Sequence, residues 1–326
     1  MRIEKTLLLA AAMLFPLAAF AAAAGRTPPL KKASFIPLWS PQAQFAGYFA
    51  AYEKGIYRKH GIDLKILKGG PTSPPGKWLE TGQADFAVLW LSEAVKMRDH
   101  GVPLVNIAQV TQRSALVLLA KRSAKIYSPQ DLNGKKISMW SEFSTQPKAF
   151  LAKYGIKAEV IPQSYTVNMF LRGGVDACSA MIYNEYHTIL NSGVDPSELT
   201  VFMFDKNGLN FPEDGLYVLE STYKKDPALA REFALASMEG WQYVRDNKEE
   251  ALKIVLSYMK EAKIPASPAH QRWMLDKMLE LIEPPADGEK GALRKADYAV
   301  VASELKKAGL INKVPDWKSF SAAAVR

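Results

Sequence analysis

Cysteine is nearly missing from this sequence: Cys178 stands alone among 326 residues. A lone thiol closes no intrachain disulfide, so an exported form of the chain must be held together by packing. No cysteine near the N-terminus is available to carry a lipid. Histidine is also scarce. His60, His100, His187 and His270 have no metal-ligand spacing, and neither HExxH nor CxxC occurs. A Walker loop and a GxSxG elbow are absent, which removes common nucleotide-hydrolase and serine-nucleophile chemistries. Neither a metal nor a cofactor is therefore expected. Arginine-rich stripes are lacking too: the net charge of +9 is spread over pairs such as Lys121-Arg122, Lys135-Lys136 and Lys224-Lys225. Such dispersed charge is a solvated surface that can speed the arrival of an anionic ligand. Nucleic acid is not an expected partner.

Packing material is ample, with 48% of residues hydrophobic. The first 24 residues read as a cleaved Sec signal peptide. Arg2 and Lys5 form a charged start, residues 6–20 are apolar, and Ala22, Ala23 and Ala24 offer small residues to a peptidase before Gly25. That apolar run of about 15 residues, broken by Pro16, falls short of the ~20 a spanning helix needs. Export to the periplasm is expected. The remaining residues, roughly 300, are too many for one core and suit two lobes.

Apolar spacing predicts strands at 33–38, 63–68, 85–90 and 103–109, with helices at 44–54, 77–81 and 91–100 between them. Strands separated by helices imply parallel pairing with right-handed crossovers. Residues 114–120 (SALVLLA) form an aperiodic apolar run that suits a buried strand leaving the first lobe. A second βαβ series restarts at Ser128 and runs through a helix at 146–154 and strands at 158–161 and 175–182. GLYVL at 215–219 reads as the strand returning to the first lobe. Helices follow at 227–246, 248–260, 268–283 and 292–307, and Phe233, Leu235, Met238, Trp241 and Val244 mark a buried face of the first.

In open α/β sheets ligands sit beyond the carboxyl ends of strands. That rule nominates 39–45, 69–73, 90–93 and 141–146. Trp39, Gln42, Gln44 and Phe45 follow the first strand, Gly70 lies in a turn whose amides can approach a ligand, and Trp90 and Ser92 end the third strand. Ser141, Ser144 and Thr145 precede a helix, where free amides make an anion site; simple capping explains the same residues. Glu93 is favoured at a helix start by the dipole, and Cys178 sits mid-strand as inert core.

Several motifs together carry a resemblance. They are KGIY with HGID after the first helix, GQAD at 82–85, DLNGKKI at 131–137, GVDA at 174–177, and Tyr183-Asn184-Glu185 closing a strand. Over residues 33–220 the chain resembles the type II periplasmic solute-binding proteins, those for thiamine pyrimidine precursors above all. The resemblance implies two α/β lobes joined by a two-strand hinge. Lobe 1 would hold residues 25–117 and 218–326, and lobe 2 residues 118–217. It implies that Trp39 stacks on a planar ligand. Tyr183, Asn184 and Glu185 would line the pocket, and the Glu185 carboxylate would accept from an aminopyrimidine. An ionised carboxylate selects for ligands that donate.

The expected function is therefore a receptor that delivers a small planar nitrogen heterocycle to an ABC permease, as a monomer. Receptors for an alkanesulfonate, taurine or nitrate, or for riboflavin, remain open, as does a ligand-sensing subunit for a membrane kinase. The same superfamily contains a fungal enzyme that makes thiamine pyrimidine from its own histidine and pyridoxal phosphate. Phe45 stands about where that histidine belongs, no lysine lies between Asp85 and Ser92, and residues 210–214 (NFPED) replace a cysteine-rich loop. An enzyme is not expected.

Overall fold

The computed structural model describes residues 29–322; the expected leader at 1–24 lies outside them. Ten strands form two five-stranded sheets, and the chain crosses between them twice. The first sheet has the order β2 (Ile62–Ile66), β1 (Lys31–Ile36), β3 (Phe86–Trp90), β10 (Asp214–Leu219), β4 (Leu104–Gln109). The second runs β7 (Glu159–Pro162), β6 (Lys136–Met139), β8 (Ala177–Met181), β5 (Leu116–Lys121), β9 (Leu199–Met203). In each sheet four strands run in one direction and the crossing strand runs against them: β10 pairs antiparallel with β3 and β4, and β5 with β8 and β9.

The centre of the first sheet is covered on both faces, so β3 reads as an unbroken apolar run. Phe86 and Val88 face one core cluster with Phe35, Tyr48 and Phe233; Ala87 and Leu89 face another with Tyr217, Tyr298 and Phe320. Phe86 and Phe233 stack with centroids 4.0 Å apart, which fixes helix Pro227–Asp246 on the sheet. Its buried face includes Phe233, Trp241 and Val244 as spaced, plus Ala234, Ser237 and Gly240, while Leu235 and Met238 are only half-buried. Helix Ala46–Glu53 crosses it at glycines. A Cβ on Gly240 would lie 2.2 Å from the Gly47 carbonyl oxygen, and one on Gly47 would lie 2.4 Å from the Trp241 ring. Only hydrogen fits at that crossing.

The two "AD-like" motifs do the same structural job in each lobe. Asp85 accepts from the amide and hydroxyl of Ser34 at 2.8 and 2.7 Å, and Asp176 from the Lys136 amide at 2.9 Å. Each carboxylate thus ties the entry of a central strand to its parallel neighbour.

The crossings occupy residues 110–115 and 204–213. β5 begins at Leu116 and β10 at Asp214, a few residues ahead of the boundaries expected at 118 and 218. Buried Glu213 knits the two segments: its Oε1 accepts from the amides of Ala115 (2.7 Å) and Leu116 (2.9 Å) and from the Ser114 hydroxyl (3.3 Å). β9 and helix Glu185–Asn191 are elements that the apolar spacing did not reveal. Among the described residues no helix is long and apolar enough to cross a membrane.

Candidate functional site

The carboxyl ends of β1, β2 and β3 face those of β6, β7 and β8, and the lobes meet there. Trp39 lies in the loop after β1 rather than at its end, half-buried, its ring 5.5 Å from that of Tyr165 in the second lobe. Tyr165 is 68% exposed, so this pair marks the rim of the crevice. Deeper in, the Trp90 ring lies 4.1 Å from Phe143 of the other lobe. Trp90, Ser92, Thr145 and Gln146 then line a small cavity whose ionisable groups are Glu142 and Glu213.

Of the nominated places, 90–93 and 141–146 meet across the lobes, Trp39 meets Tyr165, and Phe45 meets neither. Phe45 has no exposed surface and belongs to the first lobe's core beside Tyr48 and Phe49. This is a correction: the 3-10 turn Ala43–Phe45 is buried, and its last side chain packs into the core. Gln42 donates to the Gln44 carbonyl oxygen at 2.6 Å, and Gln44 donates to Asp214 Oδ2 at 2.8 Å. Gly70 holds φ +146° beside the Ser40 hydroxyl, and Gly69 packs against the carbonyls of Pro37 and Trp39. The turn therefore buttresses the Trp39 loop. Ser141 is exposed, and its carbonyl accepts from the Ser144 hydroxyl at 3.0 Å. Thr145 opens helix Thr145–Lys153.

Tyr183 is buried, and Asn184 and Glu185 are half-buried at the start of helix Glu185–Asn191. Glu185 accepts from the Met181 amide at 2.9 Å and from the Asn184 amide group at 2.8 Å. Asn184 then accepts from His270 Nε2 of the first lobe at 2.9 Å, and His270 Nδ1 lies 2.8 Å from His187 Nδ1. Because Asn184 Oδ1 can only accept, His270 carries a proton on Nε2; His187 Nδ1 lies between His270 Nδ1 and the Asn191 amide group, 3.2 Å away. The Trp273 indole adds a bond to the Ile182 carbonyl at 3.1 Å and stacks on His187. This chain joins the lobes.

Asp214 is the residue that spacing did not reveal. It opens β10, pairs with Trp90 in register, and is 2% exposed. Burial pushes its carboxyl up to about 7, with Gln44 and the Trp90 indole pulling the other way. Glu185 is likewise pushed up to about 7 by burial, against the Met181 amide and Asn184. Tyr183 is held well above the ordinary phenol range by burial and by Glu213, Asp214 and Glu185. The crevice is thus aromatic and acidic. Cys178 is fully buried with its thiol pushed far up, and takes no part. Among the described residues no three His, Cys, Asp or Glu side chains converge to hold a metal ion.

Two lobes of this topology, closing over a crevice at their strand ends, define the periplasmic-binding-protein fold. The periplasmic aliphatic sulphonate binding protein SsuA of Escherichia coli superposes with a TM-score of 0.68 at 15% identity, over 90% of this chain and 97% of that one. The chain itself belongs to the NMT1/THI5-like family, whose model matches residues 42–251. The riboflavin-binding protein RibY of Chloroflexus aurantiacus is 25% identical, covering 73% of this chain and 69% of that protein. The 4-amino-5-hydroxymethyl-2-methylpyrimidine phosphate synthase THI12 of Saccharomyces cerevisiae is also 25% identical, over 70% and 71%. The formylaminopyrimidine-binding protein of Halalkalibacterium halodurans is 23% identical, over 76% of each. The family thus holds proteins named as receptors and proteins named as synthases.

Proposed function

We propose that this chain is the solute-binding receptor of an ABC importer, and that its cargo is a small planar nitrogen heterocycle of the thiamine-pyrimidine type. The observation that carries the reading is the character of the crevice: Trp39, Tyr165, Trp90 and Phe143 supply flat faces, and half-buried Glu185 and buried Asp214 supply acceptors. A buried carboxylate calls for a donor, and an aminopyrimidine offers amine hydrogens beside a stackable ring. A sulfonate or nitrate would instead meet carboxylates of its own sign. The names of the pyrimidine- and riboflavin-binding relatives agree with a flat heterocycle.

The reading is of a receptor rather than a synthase. Phe45, a core residue, occupies the place that the resemblance gives to a donor histidine, and no lysine lies between Asp85 and Ser92. The leader read at 1–24 supports a periplasmic address, with a membrane permease as partner and a monomeric receptor.

Calorimetry of the mature protein against 4-amino-5-hydroxymethyl-2-methylpyrimidine, its aminomethyl analogue, riboflavin and taurine tests the assignment. The aminopyrimidines are expected to bind tightest, and Glu185→Gln to weaken them by roughly tenfold or more, as for a hydrogen bond to a charged group. Tighter binding of taurine would overturn the cargo. Formation of a pyrimidine phosphate from pyridoxal phosphate by the purified protein would overturn the receptor.

A further inference from the structure

We propose that Asp214 and the Trp90 indole form the specificity-determining floor of the ligand site, Asp214 Oδ1 accepting from a ligand amine and Trp90 Nε1 donating to an adjacent ring nitrogen. This rests on the receptor reading above and deepens it: the cargo must present a donor and an acceptor side by side on one edge.

Both atoms are buried without a hydrogen-bond partner. They sit on paired residues of β3 and β10, Trp90 at 8% exposure and Asp214 at 2%. The indole N–H is near enough to ease the burden on the carboxylate, yet neither atom reaches bonding geometry with the other. A buried acceptor and a buried donor left open side by side are costly, and proteins keep few of them. The other oxygen of Asp214 shows that the side chain is deliberately aimed: Gln44 holds Oδ2, and Gln42 holds Gln44. The two glutamines orient the carboxylate instead of reaching the ligand themselves.

A purely structural role for Asp214 is already filled by its neighbour. Glu213 saturates one oxygen with three donors from residues 114–116, and the hinge engages Asp214 through its backbone carbonyl, which accepts from the amides of Val110 and Thr111, rather than through its carboxylate. Asp214 lies beside Trp90, which meets Phe143 of the second lobe, and Tyr183 of that lobe is raised by burial and then by the charges of Glu213, Asp214 and Glu185. An exocyclic amine carries two hydrogens. One can go to Glu185 and the other to Asp214, and the ring nitrogen beside it meets the indole.

The test is a cycle at pH 8 between protein and probe. Wild type, Asp214→Asn and Trp90→Phe are titrated calorimetrically with 4-amino-5-hydroxymethyl-2-methylpyrimidine and with its analogue lacking the 4-amino group. Circular dichroism establishes that each variant is folded. D214N is expected to raise the Kd of the amine about tenfold to a hundredfold, and that of the amine-free analogue by less than threefold. W90F, which keeps a stacking ring, is expected to weaken both probes by a similar few-fold. If D214N, or W90F should D214N fail to fold, leaves the amine's affinity at the wild-type value, the inference falls while the receptor reading stands. A wild type that binds neither probe removes the receptor reading and with it this inference.

Discussion

Asparagine at position 214 should make the ligand-free protein more stable, by an amount that grows with pH. Folding lifts the Asp214 carboxyl from an ordinary 3.8 to about 7, chiefly through desolvation. The native state therefore holds that proton more tightly than the unfolded chain does. The stability linked to this group is whole below about pH 4 and is lost progressively until about pH 7, where the loss becomes constant. At about 1.4 kcal/mol per unit, the penalty is about 2 kcal/mol at pH 5 and about 4 kcal/mol at pH 8. The amide of D214N carries no charge and escapes it. Some of the gain is lost where an NH2 group meets the donors Gln44 and Trp90, at about 1–2 kcal/mol. The net expectation is near-neutrality at pH 5 and roughly 2–3 kcal/mol of added stability at pH 8. Urea unfolding of both proteins at the two pH values reads this directly from the midpoints. A D214N protein destabilised equally at pH 5 and pH 8 would show that the carboxylate is not desolvated in the native state, and the acidic floor would lose its physical basis.

Two further outcomes probe the packing and the seam. Gly240→Ala places a methyl 2.2 Å from the Gly47 carbonyl and 2.7 Å from Ala51 Cβ, a clash that costs about 1–3 kcal/mol against about 1 kcal/mol regained in helix propensity. A lower urea midpoint is expected, together with weaker ligand binding because helix Ala46–Glu53 starts two residues after Gln44; an unchanged midpoint would mean that the helices separate freely. Protonation should open the seam at His187 and His270. Both are held below the ordinary imidazole value by desolvation, His270 also by His187, and both lie in first helical turns whose dipoles oppose a cation. The closed form binds fewer protons, so its advantage is lost as pH falls below about 6.5. Glu185 and Asp214 titrate nearby and Arg272 on the same helix is paired with Glu249, so wild type is compared with His270→Gln. The variant's ligand affinity should fall less steeply between pH 7.5 and pH 5, as measured by calorimetry, and parallel slopes would exonerate the histidines.

Much of the framework was legible because buried parallel strands leave an apolar trace. LVLLA in β5 and FAVLW in β3 have no solvent face to hide, and helix Pro227–Asp246 matches its expected bounds since Asp226 caps it and Pro227 opens it. The rule that ligands lie beyond strand ends led to Trp39, Trp90 and Ser92, which lie where the lobes meet, and applied to β7 it leads to Tyr165 as well. What spacing could not supply was the direction of a side chain in an irregular turn. Phe45 and Gln44 are adjacent and both buried, yet one packs among the core aromatics and the other bonds Asp214. Asp214 left a signal that went unused: two acids, Glu213 and Asp214, open a strand that is otherwise GLYVL. Acids placed at the mouth of a buried strand need partners, and here Glu213 has three donors on one oxygen while one oxygen of Asp214 has none.

That asymmetry explains how closure can depend on cargo. Asp214 belongs to the first lobe's sheet and Glu185 to the second lobe, so bringing the lobes together desolvates both carboxylates on one crevice. Closure over nothing forces protonation or leaves buried charge unpaired, which opposes it. Closure over a donor-bearing ring supplies the missing hydrogens and makes the same burial favourable. A ligand shifts such an equilibrium only by its differential affinity for the closed form, and acceptors that are costly when empty enlarge that difference. On the proposed reading, the bonds from Glu185 through Asn184 to His270 would carry the choice across the seam, since the same carboxylate positions the amide that holds the opposite lobe.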